Sequence, residues 1–267
     1  MLINGQSSEC LPVLDRGLQY GDGLFETIAF IDDEAPLWDR HMTRLQHGCE
    51  VLGITPPESS LLLDEARSLP GQGRRILKII ITRGQQGRGY FPGEGEPTRL
   101  LYTRPWSPAV HDAPRGIRAH LCRTRLATGG VLAGLKTLNR LEQVVAAREA
   151  AAAGCGEGIL CDADGFLVEG IMSNLFWYAR GGLITPDLQR SGVAGVMREF
   201  VLDVASRAGL PVKIVREKAD VLEQAEAVFL TNATGLVPVS ECNGNQFDIH
   251  AVPDEISAAI DKLLRTE

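Results

Sequence analysis

The stretch Gly134-Leu135-Lys136-Thr137-Leu138-Asn139-Arg140-Leu141-Glu142-Gln143-Val144 sets a single lysine in front of a helical pattern. Leu138, Leu141, Val144, Val145 and Ala152 fall near helical spacing, which predicts a helix from about Asn139 to Ala153. Lys136 then stands just upstream of a helix N-terminus, where the positive end of the dipole and loss of hydration both favour a neutral amine. A neutral lysine is a nucleophile. Most lysines are solvated surface charges, so this reading depends on what the rest of the chain brings to the same place.

A chain of 267 residues with 44% hydrophobic content can bury two cores. The expected division is an N-terminal α/β domain over 1–105, a linker over 106–115 with prolines at 108 and 114 and a third just before it at 105, and a C-terminal domain over 116–267. Net charge is -7, so no broad basic face offers itself to nucleic acid or anionic membrane, and an anionic substrate must be met by a local cluster. The six cysteines show neither a CxxC nor a metal-ligand spacing, and they read as reduced packing thiols with no metal site. No basic segment followed by an apolar run opens the chain and no long apolar span occurs, so a soluble, cytoplasmic protein is expected.

In the first half, Met1 to Asn4 and Leu11 to Leu14 read as short strands, and Asp15 to Gly23 as a loop with three glycines. Leu24 to Ile31 alternates as a strand, expected to turn at Asp32-Asp33-Glu34 into a hairpin with Ala35 to Leu37. Asp39 is expected to cap a helix to about Leu52 that carries His41 and Arg44 one turn apart, and a second helix follows from about Pro57 to Leu69. Arg75 to Arg83 is too apolar and β-branched for a surface strand and predicts a central one. The Gly-spaced loop after it holds Arg83, Arg88 and Tyr90, and Arg99 to Arg104 forms the next strand.

The second half is expected to open with a strand from Gly116 to Arg123, then the Lys136 helix, then Gly156 to Cys161 turning at Asp162 to Gly165 into Phe166 to Val168. Glu169 puts a carboxylate at a strand end, before an irregular turn and a strand from Leu175 to Tyr178. The turn from Gly192 to Gly195 leads into a helix whose first N–H groups suit an anion. A buried strand from Ala227 to Thr231 ends in the polar tip Thr231-Asn232-Ala233-Thr234, and a helix from about Pro253 to Leu264 closes the chain. An imine-forming lysine, a strand-end carboxylate, a helix N-terminus and a polar tip together suit an aldehyde with a ring nitrogen and a phosphate, which describes pyridoxal 5'-phosphate.

Four segments then carry a resemblance: DRGLQYGDGLFET (Asp15 to Thr27), Lys136 through Glu142, EGIMSNLF (Glu169 to Phe176) and GVAGVMR (Gly192 to Arg198). The chain resembles the fold-type IV pyridoxal-phosphate enzymes, the class IV aminotransferase-like family, over essentially its whole length. The resemblance implies a mixed α and β, two-domain fold like that of the D-amino-acid aminotransferases. It also implies a homodimer acting on a small molecule. Within the family, RGQQGRGY (Arg83 to Tyr90) and LKTLNRLEQV (Leu135 to Val144) are most similar to the lyase branch. That branch converts 4-amino-4-deoxychorismate to 4-aminobenzoate and pyruvate in folate biosynthesis.

By position, the resemblance implies Lys136 as the Schiff-base lysine and general acid and base, and Glu169 as the partner of the pyridinium nitrogen. Arg44, the N–H groups of Val196 and Met197, and Asn232 with Ala233 are implied as phosphate ligands. Where D-amino-acid aminotransferases pair an Arg with a His for the substrate carboxylate, this chain has Arg88 and Tyr90. A substrate with two carboxylates makes Arg88 the preferred substrate ligand, with Arg83 and Tyr90 beside it. Two other functions stay open on these residues: a branched-chain or D-amino-acid aminotransferase using the same lysine, and a non-catalytic carrier of the cofactor.

Overall fold

The computed structural model describes residues 1–106 and 115–265, so residues 107–114, the body of the expected linker, lie outside the described residues. The chain forms two compact units. The first holds Met1–Trp106 together with Leu135–Asn139, and the second holds, of the described residues, 115–134 and Arg140–Arg265. Lys136 thus belongs to the first unit, although it lies beyond that unit in sequence.

The first unit contains β1 (Leu2–Ile3), β2 (Gln6–Ser7), α1 (Arg16–Tyr20), β3 (Gly23–Ile31), α2 (Trp38–Leu52), α3 (Ser59–Ser68), β4 (Arg74–Thr82) and β5 (Thr98–Pro105). Its sheet has the order β2-β1-β5-β4-β3, antiparallel throughout, and the apolar strand β4 lies inside it as its composition requires. Side chains alternate across the strands. Leu24, Ile28 and Phe30 of β3 with Leu77, Ile79 and Ile81 of β4 pack against Met42, Leu45 and Cys49 of α2 and Leu62 and Ala66 of α3. The intervening positions Phe25, Thr27 and Lys78 point to the other face, where Thr27 stands opposite Lys78 and Lys78 opposite Tyr102.

Four local expectations are corrected here. Leu11 to Leu14 forms no strand, and the Gly-rich loop after it contains α1, because Asp15 accepts the Gly17 N–H at 2.8 Å and Gly21, at φ 65, ends the helix. β3 makes no hairpin with Ala35 to Leu37; only an Ile31–Glu34 bridge forms before Leu37 turns left-handed into α2, and β4 takes the whole ladder. Asp39 is not the cap. Leu37 holds that position with no side-chain hydrogen bond, while Asp39 lies in the first turn, where its charge still meets the dipole favourably.

The second unit contains β6 (Ile117–Leu126), α4 (Leu141–Ala152), β7 (Glu157–Asp162), β8 (Leu167–Gly170), β9 (Asn174–Ala179), β10 (Gly182–Pro186), α5 (Val196–Arg207), β11 (Val212–Val215), β12 (Ala227–Asn232), β13 (Gly235–Cys242), β14 (Asn245–Gln246) and α6 (Asp254–Leu264). The mixed sheet runs β11-β10-β9-β12-β13-β6-β7-β8, with β14 paired to β13. It curls until its ends meet, since Leu167 on β8 donates to the Glu217 carbonyl just after β11 at 2.8 Å. Ile159, Leu175, Trp177, Val228, Leu230 and Val239 fill its core. The predicted helix α4 forms, but its inner face is Gln143, Ala146 and Ala150, and Leu141, Val144 and Val145 are exposed.

Candidate active site

Lys136 is held by strand addition. Its carbonyl accepts the Phe25 N–H at 3.0 Å, Thr137 bridges Leu24, and Leu138 donates to the Gly23 carbonyl at 3.0 Å, so Leu135–Asn139 lies along the outer edge of β3. Leu135 anchors the segment in the core of the first unit. Gly23 permits close approach on both sides, because a Cβ there would stand 3.0 Å from Leu138 Cδ1 of this segment and 2.3 Å from the Ile81 carbonyl oxygen of β4. Lys136 Nζ then lies 4.5 Å from the centre of the Phe25 ring.

A second lysine shares that ring. Lys78 Nζ is 4.0 Å from its centre and donates to Thr27 Oγ1 at 2.7 Å. Burial, and then the positive charge of Arg104, push the Lys78 ammonium down to about 8, with Glu26 pulling the other way. Neither Lys78 nor Thr27 is among the site residues expected from the sequence. The available signal was a lysine inside Ile76-Leu77-Lys78-Ile79-Ile80-Ile81, which a central strand keeps only on a face with a use for it.

On the core face of β3, Glu26 is 1% exposed and joins the two residues of α2 that lie one turn apart. It meets His41 Nδ1 at 2.7 Å and accepts from Arg44 through both carboxylate oxygens, with Nε at 2.8 Å. Burial alone would raise its carboxyl, but the Arg44 guanidinium and the His41 hydrogen bond outweigh it and hold the group at about 2. Burial lowers the His41 imidazole, assisted by the charges of Arg44 and Lys136 and opposed by Glu26. A fixed, charged Arg44 is the result.

In the second unit Glu169, on β8, is 6% exposed, and its Oε2 accepts the Val193 N–H at 2.8 Å. The turn before α5 is tied on its other side to Gly134, which donates to the Gly192 carbonyl at 2.9 Å and accepts from Ala194 at 2.9 Å. Gly195 leads into α5, whose opening residues Val196 and Met197 are buried, and the first N–H groups of a helix have no partner within it. Asn174, at the start of β9, donates to the carbonyl and hydroxyl oxygens of Thr231 at 2.8 and 3.1 Å. Its Oδ1 fills the place of a Gly195 side chain, since a Cβ there would lie 1.7 Å away. Asn232 spends its side-chain oxygen on the N–H and hydroxyl of Thr234, at 2.9 and 2.7 Å, so it braces its own turn, and Ala233 can contribute only backbone.

The three residues expected for the substrate separate by environment. Arg83 donates to both oxygens of Asp22, at 2.8 and 3.1 Å, and to the Leu52 and Gly53 carbonyls that end α2, at 2.6 and 2.8 Å. That guanidinium is a clamp on the framework. Arg88 and Tyr90 lie instead in an exposed tip closed by the reciprocal Arg88–Phe91 backbone bonds of 3.0 and 3.1 Å. Arg16, not among the expected site residues, supports the tip from below: it is buried, bonds Asp22 at 2.8 Å and the Gly89 carbonyl at 2.6 Å, and lies over Tyr20, whose ring meets Tyr90 edge-on at 5.5 Å. Among the described residues no cluster of His, Cys, Asp and Glu could hold a metal ion.

The class IV amino-transferase family model matches residues 23–242. An aminodeoxychorismate lyase from Vibrio harveyi is 34% identical over 267 residues, with 98% of this chain and 96% of that one covered. The crystal structure of 4-amino-4-deoxychorismate lyase from Pseudomonas aeruginosa superposes with a TM-score of 0.89 at 40% identity, covering 99% of this chain and 97% of the other. A putative branched-chain-amino-acid aminotransferase from Methanocaldococcus jannaschii is 32% identical over 241 residues, covering 87% and 82%. With a family model spanning most of its length and relatives of that identity at near-full coverage, the chain belongs to the class IV aminotransferase family.

Proposed function

We propose that this chain is a pyridoxal-phosphate-dependent lyase that converts 4-amino-4-deoxychorismate to 4-aminobenzoate and pyruvate. The observation that carries the reading is one ring with two lysines: Lys136 Nζ and Lys78 Nζ lie 4.5 and 4.0 Å from the centre of Phe25. One amine is needed for the chemistry. The other is a cation for a substrate with two carboxylates, which a chain of net charge -7 must meet locally.

The donor set fits the cofactor. Lys136 supplies an amine for the aldehyde, the buried Glu169 carboxylate a partner for the ring nitrogen, and Arg44 with the first N–H groups of α5 at Val196 and Met197 a cradle for the phosphate, with the Asn232–Ala233 backbone as a further candidate. When bound, the cofactor supplies an aldehyde that takes up amines and a protonated ring that draws electrons from the carbon next to the substrate nitrogen. Glu169 keeps the proton on that ring nitrogen, its own carboxylate oriented by the Val193 N–H. Lys136 takes the proton from C4 of the substrate as the C3–oxygen bond of the enolpyruvyl group breaks and the ring becomes aromatic. Protonated Lys136 then delivers a proton to the departing enolpyruvate, which becomes pyruvate. Lys78, its Nζ set by Thr27, faces one substrate carboxylate, and Arg88 in the loop tip faces the other.

On this reading the cofactor-binding domain expected over 116–267 supplies Glu169 and the α5 entrance, while Lys136 and Arg44 belong to the first unit, and the protein works as a homodimer in the cytoplasm. The exposed apolar groups Leu141, Val144 and Val145 on α4 support a subunit interface. No helix among the described residues is long and apolar enough to cross a membrane. The deciding experiment offers 4-amino-4-deoxychorismate, generated in place, without any 2-oxo acid. Sustained release of pyruvate and 4-aminobenzoate is expected, and neither product appearing would overturn the reading.

A further inference from the structure

Glu157 is a buried carboxylate with no part in the steps above. It opens β7, is 4% exposed, and is surrounded by neutral donors. Its Oε1 accepts the Ile171 N–H at 2.8 Å and the Gly158 N–H at 3.2 Å, the Met172 N–H also bonds the carboxylate, and Ser173 Oγ lies 3.4 Å from Oε2. Burial raises its carboxyl, and these donors offset part of that rise.

All of these partners belong to β7 itself or to the turn Ile171–Ser173. That turn joins β8, which carries Glu169, to β9, which begins at Asn174. Glu169 holds the Val193 N–H before α5; Asn174 holds Thr231 and abuts Gly195 at the same helix entrance. The turn is tight, with Gly170 donating to the Ser173 carbonyl at 2.7 Å and no space at Gly158 for a side chain, where a Cβ would stand 2.7 Å from Ile171 Cδ1. A shift of the turn therefore moves both strand ends that shape the helix entrance.

We propose that Glu157 is a positioning residue, whose carboxylate gathers the N–H groups of the Ile171–Ser173 turn and thereby fixes Glu169 and Asn174 where the cofactor is held. An acceptor-only group with two oxygens suits a site made entirely of donors. Glutamine, its closest isostere, keeps one acceptor oxygen and turns an NH2 toward N–H groups. The consequence for the cofactor rests on the function proposed above, whereas the ordering of the turn does not.

The test is Glu157→Gln, read in two ways. In the cofactor-free protein, amide hydrogen exchange at Ile171, Met172 and Val193 should quicken at least severalfold while the β12 and β13 amides keep their rates. In titrations with pyridoxal phosphate, the affinity of the variant should fall about tenfold, and the pH midpoint of the bound chromophore's absorption should move because Glu169 no longer meets the ring nitrogen as before. Leu222→Ala, a core truncation chosen to cost comparable melting temperature, should leave that midpoint alone. If Glu157→Gln does not fold, Ser173→Ala removes one partner and should produce the same changes at smaller size. Unchanged exchange at the turn in a folded variant overturns the proposal. A wild-type protein that fails to bind pyridoxal phosphate overturns the functional reading while the exchange result still decides the role of Glu157.

Discussion

Arg44 and Glu26 form a two-pronged ion pair on the buried face of the first sheet, and His41 closes it from one helical turn away. Phe25, the residue before Glu26, points the other way and presents its ring to Lys136 and Lys78. Neighbouring residues of one strand thus set the orientation of the proposed phosphate-binding arginine and the surroundings of the proposed reactive amine.

The pair gives an acid-stability prediction. The Glu26 carboxyl lies at about 2 in the folded chain against an ordinary 4.5, so its contribution is complete above about 4.5 and is lost as pH falls through about 2. Glu26→Gln should cost about 3 kcal/mol in urea unfolding at pH 7, because it leaves Arg44 buried beside a neutral group. The gap between the two proteins should narrow as the pH is lowered below 4. A constant gap from pH 7 to pH 3 would show that the pair is not what the substitution removes.

Arg83 and Arg88 should part company in mutagenesis. Arg83→Ala removes bonds to Asp22, Leu52 and Gly53, so it should lower the melting temperature, with activity reduced in step with folded protein. Arg88→Ala should leave melting unchanged and depress kcat/KM by about one to two orders of magnitude, the effect of losing a charged contact to a bound anion. The reverse pattern would place the substrate at Arg83.

This division shows where the sequence was legible. Near-continuous apolar, β-branched content placed β4 inside a sheet, and the turn signal Asp162 to Gly165 placed the β7–β8 hairpin, because those patterns are local. The short helix α1 was hidden by its glycines, and its Asp15 cap is read only with Thr82, which donates to the same carboxylate across the sheet at 2.9 Å. Arg83 and Arg88 look alike in a Gly-rich loop, and only the distant partners Asp22, Leu52 and Gly53 tell them apart. The buried face of α4 was not legible because burial follows what packs against a helix, and here small Ala residues face inward.

Lys78 predicts a pH limb. Its ammonium is held down to about 8 from 10.5, so the cation is present below about 8 and is lost as pH rises through it. If that charge meets a substrate carboxylate, kcat/KM should fall above pH 8. Lys78→Arg should keep activity above that pH if the larger head group is accommodated, and Lys78→Met should lose about one to two orders of magnitude and abolish the limb. A limb that survives in Lys78→Met belongs to another group.

Lys136→Ala should abolish the covalent link to pyridoxal phosphate. Borohydride reduction of the wild-type holoprotein should mark the peptide containing Lys136, and the variant should bind cofactor only reversibly, through Arg44 and the α5 entrance. Recovery of the reduced adduct on Lys78, the other amine beside Phe25, would exchange the roles assigned to the two lysines.

Stoichiometry separates the lyase from an aminotransferase of the same fold. In the elimination, the proton that Lys136 removes from substrate C4 is balanced by the one delivered to enolpyruvate, so the protein returns to its starting state after every cycle. An aminotransferase keeps the amino group after one half-reaction and needs a 2-oxo acid to return. With 4-amino-4-deoxychorismate alone, pyruvate and 4-aminobenzoate should therefore accumulate in equal amounts far beyond one per protomer, at a rate that added 2-oxoglutarate does not change. Glu169→Gln should slow this turnover sharply while leaving the Lys136 adduct intact, because a neutral amide stabilises the ring-nitrogen charge less well. A burst that stops at one equivalent and resumes only with a 2-oxo acid would assign the chain to the aminotransferases.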